Sequence, residues 1–252
     1  MTRVARRSLM AGIAALGAGA CSKIDRFATS ETGEGLFDTA EGWHREAHRI
    51  LAGRQALAPE YAPEDRSPSF KGNGSLTVDG PIYREQLATG FPDWRLAING
   101  LVENPLRLSL DELKALPQRT QITRHDCVEG WSAIGQWTGP QLSRLLDTAK
   151  VKPEAHFIVF RCADVLYGRR YYESVDMVDA YHPQTIVAHS LNGEPIPEKN
   201  GAPLRMRIER QLGYKHAKYL TAIEAVASLD GIAGGKGGFW EDIGNYQWYA
   251  GI

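Results

Sequence analysis

Short apolar runs separated by turn residues dominate the chain from residue 94 onward. Residues 94–98 alternate polar and apolar side chains before Asn99 and Gly100, which predicts a strand that enters a hairpin. In a later run, at 204–208, the same alternation places Arg205 and Arg207 outward and the apolar side chains inward. Comparable patterns predict further strands over residues 118–123, 157–163, 185–188 and 219–227.

Two helices are predicted among these strands. Ser109 is an N-cap, Glu112 completes a capping box three residues later, and Pro117 ends the helix. The second helix is predicted over residues 138–149, where three leucines between 142 and 146 form an apolar face. Short strands joined by irregular loops, with few helices, predict an α+β domain that is mixed and strand-rich.

The N-terminal segment has a different composition. Arg6 and Arg7 precede a short apolar run that ends in small residues, so residues 1–20 are predicted to be an export signal of the twin-arginine kind. Cys21 follows directly, as in lipoproteins whose Cys is acylated. We therefore expect a periplasmic protein, with a lipid anchor at Cys21 left open and an uncleaved tail as the alternative.

The segment between this signal and the strands is polar and broken by prolines. Residues 21–70 are predicted to form a tether and lead-in, with a short helix over residues 41–51. The folded domain is then expected over residues 71–252, and its aromatic-rich end either covers a pocket mouth or closes the core.

Charge and cysteine content narrow the function. The chain has 29 basic and 30 acidic residues and no basic stripe, which argues against a nucleic-acid partner. Three cysteines do not form a disulfide framework. With Cys21 in the leader, Cys127 and Cys162 are left in the body, where they could pair in an oxidising compartment.

Cys127 is the residue that points to chemistry. It lies among charged and aromatic residues in Arg-His-Asp-Cys-Val-Glu-Gly-Trp, without a neighbouring Cys, so the segment is neither a redox pair nor a zinc cluster. A thiolate is a soft ligand that suits a redox metal. The alternative is a half-buried structural Cys.

The Cys127 segment resembles the molybdenum-pterin domain of the sulfite oxidase family, in which a single Cys binds molybdenum. It is most similar to the bacterial periplasmic branch that includes the methionine-sulfoxide reductase catalytic subunit. Four further segments match this family in order: Phe-Lys-Gly-Asn-Gly at 70–74, Phe-Arg-Cys at 160–162, His-Pro at 182–183, and Asn-Gly-Ala-Pro-Leu-Arg at 200–205 followed by Gly-Tyr-Lys-His-Ala-Lys at 213–218.

The resemblance implies a role for each matching residue. Cys127 would be the metal ligand, and Glu129 would face the metal centre and move protons. The cofactor would be molybdenum with molybdopterin in its mononucleotide-free form, whose phosphate suits glycine-rich backbone and cations. The implied cofactor-binding residues are Asn73, Cys162, His182, Asn200, Arg205, His216, Ala217 and Lys218.

Several of these positions have plainer interpretations. Asn73 could belong to an Asn-Gly turn, and His182 could be structural. Cys162 stands where the methionine-sulfoxide reductase branch has Thr, and a buried Cys is often a small hydrophobe. Arg205 and Lys218 could belong to a solvated basic surface, and Glu129 to a surface salt bridge.

The predicted function is that of an exported mononuclear molybdenum oxidoreductase that reduces a sulfoxide or a similar small-molecule substrate. The chain departs from the sulfite oxidases of animals and plants in the loop after Cys127 and in lacking room for an immunoglobulin-like dimerisation domain, which argues against sulfite as substrate and is compatible with a monomer. Without a haem-attachment motif, electrons would pass through a separate haem-containing membrane subunit or a soluble cytochrome. The alternatives are a sulfite dehydrogenase, a non-catalytic cofactor-binding or electron-transfer accessory protein, and a tethered domain that has lost its cofactor.

Overall fold

The computed structural model describes residues 30–53 and 55–252, which form two compact units divided after Ala52. The predicted export signal and Cys21 lie outside the described residues. In the first unit, helix α1 (Glu31–Ala52) begins well before the predicted residue 41. Within the described residues, no helix has an apolar stretch long enough to cross a bilayer.

The second unit is rich in strands. In chain order the strands are β1 (Arg95–Gly100), β2 (Leu106–Ser109), β3 (Gln118–Cys127), β4 (Trp131–Pro140), β5 (Phe157–Leu166), β6 (Arg169–Asp176), β7 (Thr185–Ala188), β8 (Ser190–Leu191), β9 (Glu194–Pro195), β10 (Arg205–Ile208) and β11 (Leu220–Val226). The helices are α2 (Pro81–Thr89), α3 (Leu110–Ala115), α4 (Leu142–Ala149), α5 (Met177–Ala180) and α6 (Phe239–Gly244), with short 3-10 turns at Pro63–Asp65, Glu198–Asn200 and Gly213–Lys215. The predicted α+β class is confirmed.

The main core lies between the largest sheet and α4. This sheet has the order β2-β1-β11-β5-β6, and all neighbours are antiparallel except β1 and β11. Strand alternation places Leu96 and Ile98 on one face, where they are fully buried with the leucines of α4. Helix α3 begins as predicted, since Ser109 and Glu112 form a reciprocal capping box.

A hairpin of β3 and β4 carries Cys127. The two strands pair along their whole length, from Gln118 opposite Pro140 to Cys127 opposite Trp131. Cys127 therefore ends a strand that extends four residues beyond the strand predicted over residues 118–123. The prediction of helix over residues 138–140 was wrong, because these residues stay in β4. Gly139 packs so closely on the backbone of Val187 and Ala188 that a side chain would overlap it.

The prediction that Arg205 and Arg207 point outward was also wrong. All four residues of β10 are buried, and both arginines are fully inaccessible. Their guanidinium carbons lie 4.9 and 4.7 Å from the ring centre of Trp137, which comes from β4. A short strand between two layers has no solvent-facing side, so alternation of residue type did not indicate exposure here.

The lead-in packs onto the hairpin from Glu60 onward. The amide of Tyr61 donates to the carbonyl of Ile122 on β3, and the amide of Ser67 donates to that of Ile134 on β4, both at 2.9 Å. Phe70 is buried against Trp137, with ring centres 5.1 Å apart. This segment therefore brings the loop that follows it, at residues 71–75, to the end of the hairpin near Cys127.

Candidate active site

A cavity of about 130 Å³ lies at the end of the β3–β4 hairpin. Cys127 and Glu129 line it from the hairpin, Asn73 from the loop after the lead-in, and His216 and Lys218 from the segment between β10 and β11. Three matching segments that are distant in sequence thus meet around one space. Gly213, which also lines the cavity, packs so closely on the ring of His125 that a side chain there would overlap it.

Cys127 offers its sulfur to this cavity as a free thiol. Its side chain is nearly buried, and the amide of Gly130 donates to its carbonyl across the turn at 3.0 Å. Burial raises the pKa of the Cys127 thiol, while a hydrogen bond from the Glu129 backbone and the charges of Lys71 and Arg205 act in the opposite direction. A thiol of this kind becomes a thiolate when a metal binds it, because metal binding releases the proton.

Lys218 ties two walls of the cavity together. Its ammonium donates to the carbonyl oxygens of Asn73 at 2.6 Å and of Ser75, and to that of Lys199 at 3.3 Å. Burial and the nearby charge of Arg205 lower the pKa of Lys218 to about 7. An anion placed in the cavity would restore the full charge of this lysine.

Arg205 is a buried cation without an acidic partner. Its Nη1 donates to the carbonyl of Asn200 at 3.0 Å and its Nη2 to that of His216 at 3.5 Å, but no carboxylate among the described residues forms an ion pair with it. Burial, and next to it the charge of Arg207, lowers the pKa of Arg205 to about 9. A buried unpaired charge is costly unless a ligand of opposite charge compensates it.

Several buried polar atoms near this cation also have no hydrogen-bond partner within the described part of the chain. They are Asn73 Oδ1, His125 Nε2, Asn200 Oδ1, Arg205 Nε and His216 Nδ1. Each such atom costs about 1–3 kcal/mol if it stays unpaired. An extended ligand with donors, acceptors and an anionic end fits this set, and a pterin with a terminal phosphate is a ligand of that kind.

Two buried histidines have defined tautomers here. Arg207 Nη1 lies 2.9 Å from His125 Nδ1, which must therefore accept, so that the proton is on Nε2. His216 Nε2 donates to the carbonyls of Ile208 and Gln211, which leaves Nδ1 as an acceptor. Burial lowers the pKa of both well below the usual value, so a ligand would meet one neutral donor and one neutral acceptor. No sequence motif assigned a role to His125.

Two predicted residues lie away from the lining of this cavity. His182 is buried, its Nε2 donates to the carbonyl of Ala56 at 3.1 Å, and its Nδ1 accepts from the amide of Gln184 at 3.3 Å. Cys162 is a free, buried thiol within the main core. Burial raises the pKa of Cys162 well above the usual value. The cofactor roles of His182 and Cys162 stay predictions.

The remaining predicted residues lie close to the cavity. Asn200 is buried and its Nδ2 donates to the carbonyl of Lys71 at 3.2 Å. Ala217 is fully buried, and its carbonyl accepts from the amide of Met206 at 2.8 Å. Glu129 is exposed at the rim, where its carboxylate accepts from the indole nitrogen of Trp131 at 3.0 Å. Glu129 is therefore the acidic group in contact with both solvent and cavity.

The rest of the lining came from residues that no motif indicated. Asp164 on β5 accepts a hydrogen bond from Ser75, and burial raises its pKa. Tyr171 on β6 lines the cavity together with Trp240 and Tyr246 from the C-terminal segment. The rings of Trp240 and Tyr246 are stacked 5.5 Å apart. The aromatic-rich end thus covers the cavity and, through Phe239, also closes the core. Its composition was the one sequence signal available for this wall.

Comparison with known proteins agrees with this geometry. Residues 83–230 match the family described as the oxidoreductase molybdopterin binding domain. A protein of Azospira oryzae named as the protein-methionine-sulfoxide reductase subunit YedZ1 is 42% identical over 195 residues, which are 77% of this chain and 68% of that protein. The protein-methionine-sulfoxide reductase catalytic subunit MsrP of Campylobacter jejuni is 33% identical over 144 residues, 52% of this chain and 48% of that one.

A third relative and a solved structure are similar over comparable lengths. The catalytic subunit MsrP of Xanthomonas axonopodis is 34% identical over 161 residues, 60% of this chain, and the chain spans about half the length of both MsrP relatives. The crystal structure of the sulfane dehydrogenase SoxCD from Paracoccus pantotrophus aligns with a TM-score of 0.50 and 25% identity over 54% of this chain and 39% of that one. The predicted resemblance is confirmed: the chain belongs to the oxidoreductase molybdopterin binding domain family, with a sulfite oxidase-like fold, and is a molybdopterin-binding oxidoreductase.

Proposed function

We propose that this protein reduces sulfoxides, methionine sulfoxide above all, at the cavity that contains Cys127. The observation that carries the proposal is the convergence of Cys127, Glu129 and the cation Lys218 on one cavity, with the charge of the buried Arg205 acting on Cys127, in a chain whose relatives are named methionine-sulfoxide reductases. Reduction of a sulfoxide to a thioether and water consumes two electrons and two protons, so the site needs a redox centre and proton donors.

Different residues of the site would hold the redox centre and supply the protons. Cys127 would hold the metal, while Arg205 and Lys218 would bind the anionic end of the pterin by charge. Asn73 and Asn200 would satisfy its polar groups through the side-chain oxygens that are now unpaired. When bound, the molybdenum cofactor supplies the two-electron exchange. Glu129 reaches solvent at the rim, and it would deliver a proton to the substrate oxygen and then be reprotonated from water.

A substrate panel on the molybdenum-loaded protein tests the proposal. Free methionine sulfoxide, a methionine-sulfoxide peptide and a dialkyl sulfoxide are assayed with a reduced dye as electron donor, and sulfite with an oxidised dye as acceptor. We expect sulfoxide reduction to exceed sulfite oxidation on one preparation. Faster sulfite oxidation would replace the proposal by a sulfite dehydrogenase, and loaded protein without turnover on either substrate would favour an accessory role.

We also propose the mononucleotide-free form of molybdopterin as the cofactor. Support comes from the resemblance of the 200–205 and 213–218 segments to family members that bind this form. Acid treatment of purified protein followed by mass spectrometry tests it. We expect no released nucleotide, whereas one guanosine or cytidine nucleotide per molybdenum would contradict the proposal.

Electron supply is proposed to come from a separate haem-containing membrane subunit or a soluble cytochrome. The sequence contains no Cys-x-x-Cys-His motif for covalent haem, and the relatives named as catalytic subunits imply another subunit in those systems. Reoxidation of the reduced partner by loaded protein and sulfoxide is the measurement. No change in the partner's haem spectrum would exclude the candidate tested.

Export to the periplasm by the twin-arginine route is proposed on the basis of Arg6 and Arg7, and acylation of Cys21 would tether the exported protein. Replacing both arginines by Lys keeps the charge but removes the recognised pair. We expect the double variant to stay in the cytoplasm on fractionation. A normal amount beyond the membrane would indicate the general secretion route instead.

A further inference from the structure

Behind the cavity wall lies a cluster of three buried charged residues that the proposed function does not use. Lys215 comes from the 3-10 turn Gly213–Lys215, Glu173 from the middle of β6, and Glu241 from α6. All three are at most 1% exposed. The ammonium of Lys215 lies 2.7 Å from Glu173 Oε2 and 2.5 Å from Glu241 Oε1. Two carboxylates thus share one cation.

The second oxygen of Glu241 crowds the same point as Glu173. Both Oε2 atoms face Gly238, so closely that a side chain at that glycine would overlap each of them. Apart from the ion pair of Glu173 Oε2 with Lys215, neither Oε2 has a hydrogen-bond donor in the described part of the chain. Two carboxylate oxygens held this close repel each other unless a proton lies between them.

The net charge leads to the same conclusion. With both carboxylates ionised the cluster would carry one uncompensated negative charge in a site without water contact, which is costly. Burial, and next to it the charge of Glu241, raises the pKa of Glu173 well above its usual value. One shared proton makes the cluster neutral.

Tyr171 connects this cluster to the cavity. Its hydroxyl donates to the carbonyl of Tyr214 at 2.7 Å and lies 3.5 Å from Glu173 Oε1, while its side chain lines the cavity that contains Cys127. Tyr171 also lines a second cavity, of about 470 Å³, together with the exposed Arg169 and Arg170, which gives solvent access to the same side chain. Burial keeps the Tyr171 hydroxyl protonated by raising its pKa.

We propose that Glu173 and Glu241 share one proton beside Lys215 and supply it through Tyr171 to the substrate in the cavity, which makes them a proton-storing site for sulfoxide reduction. This inference rests on the proposed function. Each sulfoxide reduced takes two electrons from the redox partner and two protons. One proton comes from the shared pair and one from Glu129 at the rim, and the oxygen leaves as water. The pair is then reprotonated from solvent in the second cavity.

Other ionisable groups lie near the pair, so a proton on one of them must be distinguished from a proton shared by Glu173 and Glu241. Those that face the pair are Lys215, Tyr171 and Tyr172 of β6, and Cys162 of β5. Asp164 lies in the cavity lining, and its pKa is also raised by burial. A protonated carboxyl seen in the protein must therefore be assigned by variants of each acid.

Infrared spectroscopy of the purified protein detects the proton directly. We expect a carbonyl-stretch band of a protonated carboxylic acid at pH 7 that disappears in Glu173→Gln and in Glu241→Gln, since the remaining carboxylate then pairs with Lys215 alone. Asp164→Asn should leave this band in place. Glu224→Gln is the matched control, because Glu224 forms a half-buried ion pair with Arg161 and is not part of the cluster. A wild-type protein without the band at pH 7 overturns the proposal, and this measurement needs no variant to fold.

Steady-state turnover tests whether the proton reaches the substrate through Tyr171. Tyr171→Phe keeps the ring that lines the cavity and should keep the band, but kcat for methionine sulfoxide should fall on the order of 100-fold, the lower end of what a positioned proton donor contributes. KM should stay within about twofold and the pH profile of kcat should change. Unchanged kcat and pH profile in Tyr171→Phe and Glu241→Gln would overturn the proposal even with the band present. A wild-type protein that turns over no sulfoxide would instead refute the proposed function, while the infrared result would still decide whether the proton is stored.

Discussion

Arg205 and Arg207 lie two positions apart on β10, stack on the same Trp137, and are both fully buried, yet their surroundings differ. Arg207 forms a two-point ion pair with Glu209, with donor–acceptor distances of 2.9 and 2.5 Å. Glu209 also accepts from Gln121 at 2.7 Å. Arg205 meets only backbone carbonyls. One region therefore neutralises its charge within the chain, and the other leaves a charge and several polar atoms for a ligand.

This difference separates structural from functional residues better than residue type does. Both arginines occur in one apolar strand, and both would pass as phosphate-binding candidates from sequence. Asn200 and His216, whose carbonyls accept from Arg205, also have unpaired side-chain atoms in the described part of the chain. A buried polar group without a hydrogen-bond partner indicates a ligand-binding position, whereas a buried polar group with a complete set of partners indicates a structural position.

The largest effect is expected at the metal ligand itself. Cys127→Ala removes the one thiolate at the cavity, so activity should be lost and molybdenum content per mole of protein should fall, while circular dichroism stays that of the wild type. Metal analysis and turnover on the same preparation check this. Full activity with unchanged metal content would show that Cys127 is a structural Cys.

Arg207→Ala tests whether Arg207 stabilises the fold. It leaves Glu209 buried and unpaired, so the free energy of unfolding should fall by about 3–5 kcal/mol in denaturant titrations. Arg207→Met combined with Glu209→Leu is the control, and it should recover most of the loss because no charge is left behind. A loss below about 1 kcal/mol for the single variant would mean that the pair does not support the fold.

Arg205→Ala should weaken binding of the cofactor. No carboxylate loses its partner, so cofactor-free protein should lose less stability than Arg207→Ala, although the bonds of Arg205 to the Asn200 and His216 carbonyls are removed. Loss of charged hydrogen bonds to a phosphate, about 1.5–3 kcal/mol each, should weaken pterin binding roughly 10- to 100-fold. Pterin content per mole of protein is the measurement, and Arg205→Lys, which keeps charge but loses the planar fork, should be intermediate. Wild-type pterin content in Arg205→Ala would show that Arg205 does not bind the cofactor.

The sequence predicted that Arg205 and Arg207 lie on a strand, but it did not predict which groups surround them. The Asn-Gly-Ala-Pro-Leu-Arg motif located Arg205, and the capping box at Ser109 and the strand at residues 185–188 were found in place. The outward orientation of the two arginines was wrong because strand alternation says nothing about a second layer. The partner of Arg207 is Glu209, only two positions along the chain, but the sequence did not indicate that both would be buried together.

The cavity shows the same limit. Motifs located Cys127, Asn73 and Lys218 because glycine-rich and charged segments have few other uses. Tyr171 and Asp164 come from strands whose alternation is ordinary, and nothing in sequence distinguishes them from surface positions. The helix predicted over residues 138–149 begins only at Leu142, because residues 138–140 pair with β3 and this pairing outweighed the local preference. Close packing of Gly139 on Val187 is visible only once the strands are placed.

Glu129→Gln tests the exposed part of the site, with a smaller effect. The substitution removes a titratable carboxyl but no ligand, so turnover of methionine sulfoxide should slow by on the order of 10-fold or more while molybdenum content stays unchanged. The pH profile of kcat should lose one ionisation. An unchanged rate and profile would leave Glu129 as the partner of the Trp131 indole alone.

The smallest expected effect concerns His182, which lies away from the cavity lining. Burial lowers the pKa of His182 to about 4. In the unfolded chain a His has a pKa near 6.5, so between about pH 6.5 and 4 the unfolded state binds a proton that the folded state does not. Stability contributed by neutral His182 is therefore complete above pH 6.5 and is lost as the pH falls toward 4.

His182→Gln keeps an amide that can donate to the Ala56 carbonyl and accept from the Gln184 amide, but it does not titrate. The free energy of unfolding of this variant, measured in denaturant at several pH values between 7 and 4, should fall less steeply than that of the wild type. Pterin content should be unchanged if His182 only holds the lead-in. Parallel stability curves together with reduced pterin content would instead assign His182 to the cofactor, and the ligand side of the molecule would extend beyond the cavity wall.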